Sequence, residues 1–365
     1  MTKRHLILIF ALVITAVIFI IYLKNKDDLV TDEMRMMKNL GTGINIGNDL
    51  DVYGVKKDID DPDISDYETF WGNQPVEAEL FKAIKKAGFN TVRIPVTWSE
   101  HVDKHYNIDE AWMARVTEVV DDALDNNLYV ILDTHHETFI MPDTEHEVKV
   151  TKRFLKLWSQ IADNFEDYNE RLLFEGMNEP RVIGSDEEWT GGTVKQRKVV
   201  NHLNREFVKC IRQKGGNNEN RYLLVTPYAS SCLPEALDSF KMPKHWKHVL
   251  VSIHAYIPYA FTSNEAGNNK FDTKNLDYTR DIEELADKLS ADFIEKDIPV
   301  VITEFGCQAK KDEAQRIAWA KFFTEHLKPL GIPMIWWDDG GAYSVMDRET
   351  NSISNEELVE VIVKD

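Results

Sequence analysis

The stretch LLFEGMNEPR, residues 172–181, begins as a buried strand does and then turns polar, ending in Asn178, Glu179 and Pro180. A strand that served only stability would have no use for an amide and a carboxylate side by side at its end. Seven further short apolar runs share its form: GTGINIG (41–47), TVRIPV (91–96), YVILDTHH (129–136), YLLVTPYA (222–229), VLVSIHAY (249–256), VVITEFG (300–306) and PMIWWDDGG (333–341). Amphipathic helical segments separate them. PVEAELFKAIKKAG places Leu80, Phe81, Ile84 and Ala87 on one face and stops at Gly88. DEAWMARVTEVVDDALDNN aligns Trp112, Val116, Val119, Val120 and Ala123, with Asp109 at its start. Helices are also predicted over 148–165, 195–214, 281–295 and 313–327. Eight apolar runs alternating with helices predict an α/β fold of the (β/α)8 TIM-barrel type, with near-continuous apolar strands in a closed parallel sheet. The competitor, a doubly wound open sheet, wants a glycine-rich phosphate loop opening a helix, and GTGINIGND does not lead into one.

The chain carries 43 basic and 62 acidic residues, a formal net charge of -19. Such a surface repels polyanions and argues against nucleic acid as a partner, while it suits a soluble protein with a neutral substrate. Cys210, Cys232 and Cys307 are far apart, which argues against a disulfide framework or a zinc site. At the N-terminus, Lys3 and Arg4 precede 18 uncharged residues, 6–23. That length lies between a signal-peptide core and a minimal membrane span. The preceding positive charges orient the remainder outward. No small-residue cleavage motif follows, so an uncleaved anchor is favoured over a cleaved signal peptide. The expected organisation is a cytoplasmic tip, hydrophobic segment and short linker over 1–33, then one catalytic domain over 34–365. The protein would work at the cell surface or be secreted, as a monomer.

In a (β/α)8 barrel the active site forms where the strands end at the C-terminal face. The ends of the eight runs supply Asn45, Arg93, His135 with His136, Asn178 with Glu179, His254 with Tyr256, Glu304 and Trp337. Only the fifth, near Tyr228, is uninformative. Any one of these has a bland explanation as a satisfied core histidine or a salt-bridged arginine. The same face supplied seven times does not. Glu179 and Glu304 end the fourth and seventh strands and so face each other across the mouth. Two carboxylates across a cleft suit glycoside hydrolysis, one protonating the leaving oxygen and the other acting as nucleophile or as base on water.

LLFEGMNEPR followed by VVITEFG resembles the signature of glycoside hydrolase family 5, and NTVRIPVTW, DTHHE, IHAYIPY and WWDDGG resemble family segments in order. FWGNQP, with Trp71, and the Asn-Ile-Gly-Asn run resemble its bacterial endoglucanase branch. The resemblance covers residues 41–348. It implies Glu179 as general acid and then base, with a raised pKa, and Glu304 as nucleophile, kept ionised by Arg93 and Tyr256. It implies that Asn178 holds the sugar 2-OH, that His254 and His135 position Glu179 and the sugar hydroxyls, and that Trp337, rather than Trp336, is the floor under the sugar ring. Asn45, His136 and Trp71 complete the supporting set, and no cofactor or metal is called for. The chain departs from the branch at Ile44, where Trp is common and packing in the barrel bottom is expected. It departs again at Asp49, which is expected to alter contacts two subsites away.

Two rival readings remain. A metal-dependent barrel hydrolase would use His135, His136, Glu137 and His254, but adjacent strand histidines point to opposite faces and no H-x-H occurs. A non-catalytic polysaccharide receptor would use Trp71, Trp98, Trp189 and Trp337, but has no need of two strand-end carboxylates. The expected substrate is an internal β-1,4 linkage of cellulose or a related β-glucan. Xyloglucan, mixed-linkage glucan, xylan and mannan stay open, because loops such as 181–194 and 256–278 decide among them.

Overall fold

The computed structural model describes residues 31–364, apart from 244–246, 265 and 268. The hydrophobic segment expected over 6–23 lies outside the described residues. Among those described, no helix is long and apolar enough to cross a membrane.

Eight parallel strands close into a barrel in sequence order: β1 (Thr42–Asn45), β2 (Thr91–Ile94), β3 (Tyr129–Asp133), β4 (Leu172–Glu175), β5 (Leu223–Val225), β6 (Val249–His254), β7 (Val300–Phe305) and β8 (Met334–Trp336). Closure is made by β1, which pairs with β2 on one side and with β8 on the other. The strands are buried along almost their whole length because helices cover the outside and side chains fill the inside. The expected helices form at 78–87, 110–125, 147–164, 194–212, 276–292 and 313–327. Asp109 caps the second by accepting hydrogen bonds from the Ala111 and Trp112 amides, and all five residues of its apolar stripe are buried. After β5 the crossover helix shrinks to one turn, Pro234–Leu237.

Three elements lie before β1 or after β8. Helix Asp32–Leu40 buries Met36, Met37 and Leu40, and its Leu40 carbonyl accepts from Thr91 Oγ1 at the start of β2 (2.7 Å). A two-stranded hairpin, β9 (Met346–Asp347) with β10 (Ser352–Ile353), follows β8, and helix Glu356–Val363 then completes the outer ring beside Glu313–Leu327.

Ile44 is fully buried. Its neighbour Asn45 points into the barrel, so strand alternation turns Ile44 outward. It packs behind the strand rather than in the barrel bottom.

Candidate active site

Arg93, fully buried on β2, organises the C-terminal mouth. Its Nε donates to Glu175 Oε2 (2.6 Å), its Nη1 to Asn45 Oδ1 (2.9 Å) and Glu304 Oε1 (2.7 Å), and its Nη2 to Asn178 Oδ1 (2.8 Å). The same Nη2 lies 2.8 Å from Asp133 Oδ2. Such a planar fork holds five N–H donors in fixed directions, against the three rotatable donors of a lysine. Strand β4 ends at Glu175, and the chain leaves it at Gly176, where a Cβ would meet the Phe207 ring at 2.9 Å. Over the next residues the backbone turns so that Asn178 faces Arg93 while Glu179 faces His254 (2.9 Å from Oε1 to Nδ1). Glu175 is buried between Arg93 and the Ser252 hydroxyl, with a hydrogen bond to each of its oxygens.

On the far side, β6 and β7 pair His254 with Glu304, and the register slips just before His254. Such a slip re-aims a side chain. His254 Nδ1 also lies 3.4 Å from Glu304 Oε2, and the Tyr256 hydroxyl donates to that oxygen at 2.8 Å. Glu179, His254 and Glu304 each offer an atom within 4.8 Å of the others. The carboxylates are thus close neighbours bridged by an imidazole.

The electrostatics differ from the expectation of an acid with a raised pKa. Burial pushes Glu179 up, but the hydrogen bond and charge of His254, joined by Arg181, outweigh it and hold Glu179 at about 2. Burial pushes Glu304 up, and the Glu179 charge adds to it. His254, Arg93 and Tyr256 oppose this without cancelling it, so Glu304 is raised rather than kept low. Burial disfavours a charged His254, yet Glu304 and Glu179 together raise its pKa above the ordinary histidine value. His254 and Glu179 thus favour each other's charged forms across their hydrogen bond. Tyr256, partly buried beside Glu304, is raised well above the ordinary tyrosine value by desolvation and the Glu304 charge, and stays a donor.

The family model for cellulase (glycosyl hydrolase family 5) matches residues 54–342. The chain belongs to glycoside hydrolase family 5. It is 39% identical to Endoglucanase A of Ruminococcus albus over 91% of this chain and 92% of that protein. To Endoglucanase A of Clostridium longisporum it is 38% identical, over 86% of this chain but only 62% of that longer protein. Among solved structures it superimposes on a GH5-4 broad specificity endoglucanase from Ruminococcus champanellensis with bound cellotriose. That match has a TM-score of 0.87 and 35% identity, covering 92% of this chain and 99% of the other.

In this family 5 chain the remaining candidates line the same mouth. His135 donates through Nδ1 to Asp133 Oδ2 (2.7 Å), and its Nε2 faces Asn178 Nδ2 at 3.3 Å. Its ring lies parallel to Trp337, with centroids 5.7 Å apart. Trp337 is half-buried over Gly47, whose absent side chain leaves it room: a Cβ there would come within 2.7 Å of the indole. Trp336 instead is fully buried and donates to the Tyr343 carbonyl. Asn45 anchors the first strand by donating to the Thr303 carbonyl on β7 (2.9 Å) and the Trp336 carbonyl on β8 (3.1 Å). Trp71 and Tyr53 meet edge-on, and both contact His136. A cavity of about 80 Å³ runs between Tyr53, His135, His136, Glu179 and Arg181. A larger hollow of about 1290 Å³ outside the barrel is lined by 56–67 and 100–111 and holds none of the strand-end residues.

Four further sequence expectations need correction. Asp49 is fully buried and salt-bridged to Arg348 (2.8 Å), out of reach of a sugar. Trp98 is fully buried, donating to the Asp133 carbonyl, and cannot serve as a binding platform. Glu137 accepts from the Trp98 and Ser99 amides and so is a backbone clamp. His135 and His136 do not point to opposite faces: β3 ends at Asp133, strand alternation lapses, and their rings sit 4.5 Å apart. Sequence reasoning also missed Asp133 and Arg181. Asp133 is the last residue of β3, and its place as a carboxylate at the end of the run YVILDTHH was the available signal. Arg181 follows Asn-Glu-Pro directly and reaches Glu179 Oε2 at 3.3 Å.

Proposed function

We propose that this chain is a retaining, endo-acting β-1,4-glucanase that works by double displacement. The observation that carries the reading is the proximity of the two carboxylates, which have oxygens within 4.8 Å of each other. Retaining glycosidases place their carboxyl groups about 5–5.5 Å apart, whereas inverting ones leave about 6.5–9.5 Å for a water. Glu304 attacks the anomeric carbon while the Glu179–His254 pair releases its shared proton through Glu179 to the leaving oxygen. Glu304 then carries the sugar as an ester. Once that ester forms, the Glu304 charge that favoured a protonated His254 is gone, and Glu179 accepts the proton of the incoming water. Asn178, held by Arg93, takes the 2-OH, Trp337 and Trp71 take sugar faces, and Arg181 steadies Glu179.

Internal cleavage of a β-glucan is supported by the relatives named endoglucanase and by the cellotriose bound to the Ruminococcus champanellensis enzyme. Its broad specificity favours acceptance of more than one β-glucan here as well. Trp189, exposed on the loop after Glu179 with Arg181 stacked on it at 4.3 Å, is suited to the leaving side of the chain. We place the catalytic domain, 34–365, outside the cytoplasm, tethered or exported by the apolar segment 6–23. Reducing ends released from lichenan, xyloglucan, carboxymethyl cellulose, xylan and glucomannan test the reading. Cleavage of the glucans with a rapid fall in viscosity is expected, and inactivity on all five overturns it.

A further inference from the structure

Beside the catalytic pair, a second group of ligand-type side chains lies where the sugar chain would enter. Asp51, His135 and His136 each offer one atom within 4.8 Å of the others. Asp51 is fully buried, yet its Oδ2 has no hydrogen-bond partner. Its other oxygen accepts from the Asp49 amide (3.0 Å), which fixes the orphaned oxygen towards His136 Nε2 at 3.7 Å. That distance is too long for a hydrogen bond. It is close to the roughly 3.4 Å edge of a tetrahedron whose metal–ligand bonds are about 2.0–2.1 Å.

The imidazoles are prepared in the same sense. The Nδ1–H of His135 is committed to Asp133, so its Nε2 carries a lone pair, opposed only by the long 3.3 Å contact from Asn178 Nδ2. A carboxylate behind a ligating histidine orients the ring and raises its basicity. His136 is steadied by Tyr53 and Trp71 and remains 30% exposed, so an ion can reach it from the cleft. Two imidazoles and one carboxylate suit zinc or copper, not the all-oxygen preferences of magnesium or calcium.

We propose that Asp51, His135 and His136 bind one divalent zinc or copper ion, and that this ion and the glucan chain exclude one another. Binding draws His135 Nε2 away from Asn178 and occupies the edge of the cleft beside Trp337. The exclusion rests on the glucanase reading; ion binding does not. By linkage, whatever factor the sugar imposes on ion affinity, the ion imposes on sugar affinity.

Equilibrium dialysis and electron paramagnetic resonance of the full chain with copper(II) test the site directly. One ion per chain with hyperfine coupling to two nitrogens is expected. Affinity should fall at least about tenfold in both His136→Gln and Asp51→Asn. His136 is partly exposed, so its variant reports even where loss of the buried Asp51 carboxylate harms folding. Absence of one-to-one binding, or wild-type affinity in His136→Gln, overturns the site. Cellotetraose at saturating concentration should weaken copper binding, and zinc should inhibit competitively. Cellotetraose that binds and leaves copper affinity unchanged overturns the exclusion. A chain that holds the ion but binds no cellotetraose fails the glucanase reading and overturns the exclusion with it, leaving the ion site standing.

Discussion

Glu179 and Glu304 differ less in their own chemistry than in what surrounds them. Glu304 is gripped by Arg93 and Tyr256, while Glu179 is held by His254 and Arg181. Removing each should therefore fail differently. Glu304→Gly should abolish cleavage, with azide restoring turnover and giving an α-configured azide product. Glu179→Ala should lower turnover of polysaccharide by about 10²–10⁴-fold while sparing substrates with good leaving groups, and azide should give the β product. Near-normal rates on polysaccharide in both variants would contradict the assignment. The pH profile follows from the shared proton. Glu304 is raised above the ordinary 4.5, so falling pH protonates the nucleophile early and the acid limb should lie above 4.5. His254 is raised above 6.5, so the pair loses its proton only above that pH, which sets the basic limb. His254→Asn removes the main influence lowering Glu179, leaving burial to push it up from about 2. The basic limb of kcat/KM on an aryl cellobioside should then move. An unmoved limb would count against His254 as keeper of the proton. Which residues gather at this site was largely legible, because all but Trp71 lie at or near the ends of apolar runs. Their ionisation was not, since it depends on distances between residues that sequence separates widely, such as His254 and Glu179.

At the scale of elements, Arg93 ties β2 to the ends of β1, β3, β4 and β7 through Asn45, Asp133, Glu175 and Glu304. Arg93→Met would leave three acidic groups buried without their cation. Breaking a buried ion pair costs about 3–5 kcal/mol, so a lower urea midpoint by tryptophan fluorescence is expected even where the barrel still forms. An unchanged midpoint would show that the network contributes nothing to holding the strands together. The eight strands were visible because buried parallel strands need unbroken apolar runs. Helix Leu276–Asp292 starts earlier than its pattern indicates because Asn275 caps a first turn whose Leu276 is exposed and off the buried stripe. Helices Asp32–Leu40 and Glu356–Val363 escaped notice for another reason. They lie before the first and after the last of the eight apolar runs, and helix Pro234–Leu237 is too short to carry a period.

The whole molecule bears a formal charge of -19. A like-charged polymer should be disfavoured at low ionic strength, where the screening length reaches about 30 Å at 0.01 M. KM for carboxymethyl cellulose should fall as salt rises to about 0.15 M, while KM for neutral lichenan stays constant. Equal salt responses for the two substrates would contradict an electrostatic origin. The same net charge attracts divalent cations to the molecule as a whole.

The most direct test of the double displacement is covalent trapping with a 2-deoxy-2-fluoro cellobioside bearing a good leaving group, followed by mass spectrometry of the digested chain. One sugar per chain on the peptide carrying VVITEFG, at Glu304, is the predicted result. Attachment at Glu179, or hydrolysis that proceeds with inversion and leaves no adduct, would contradict it.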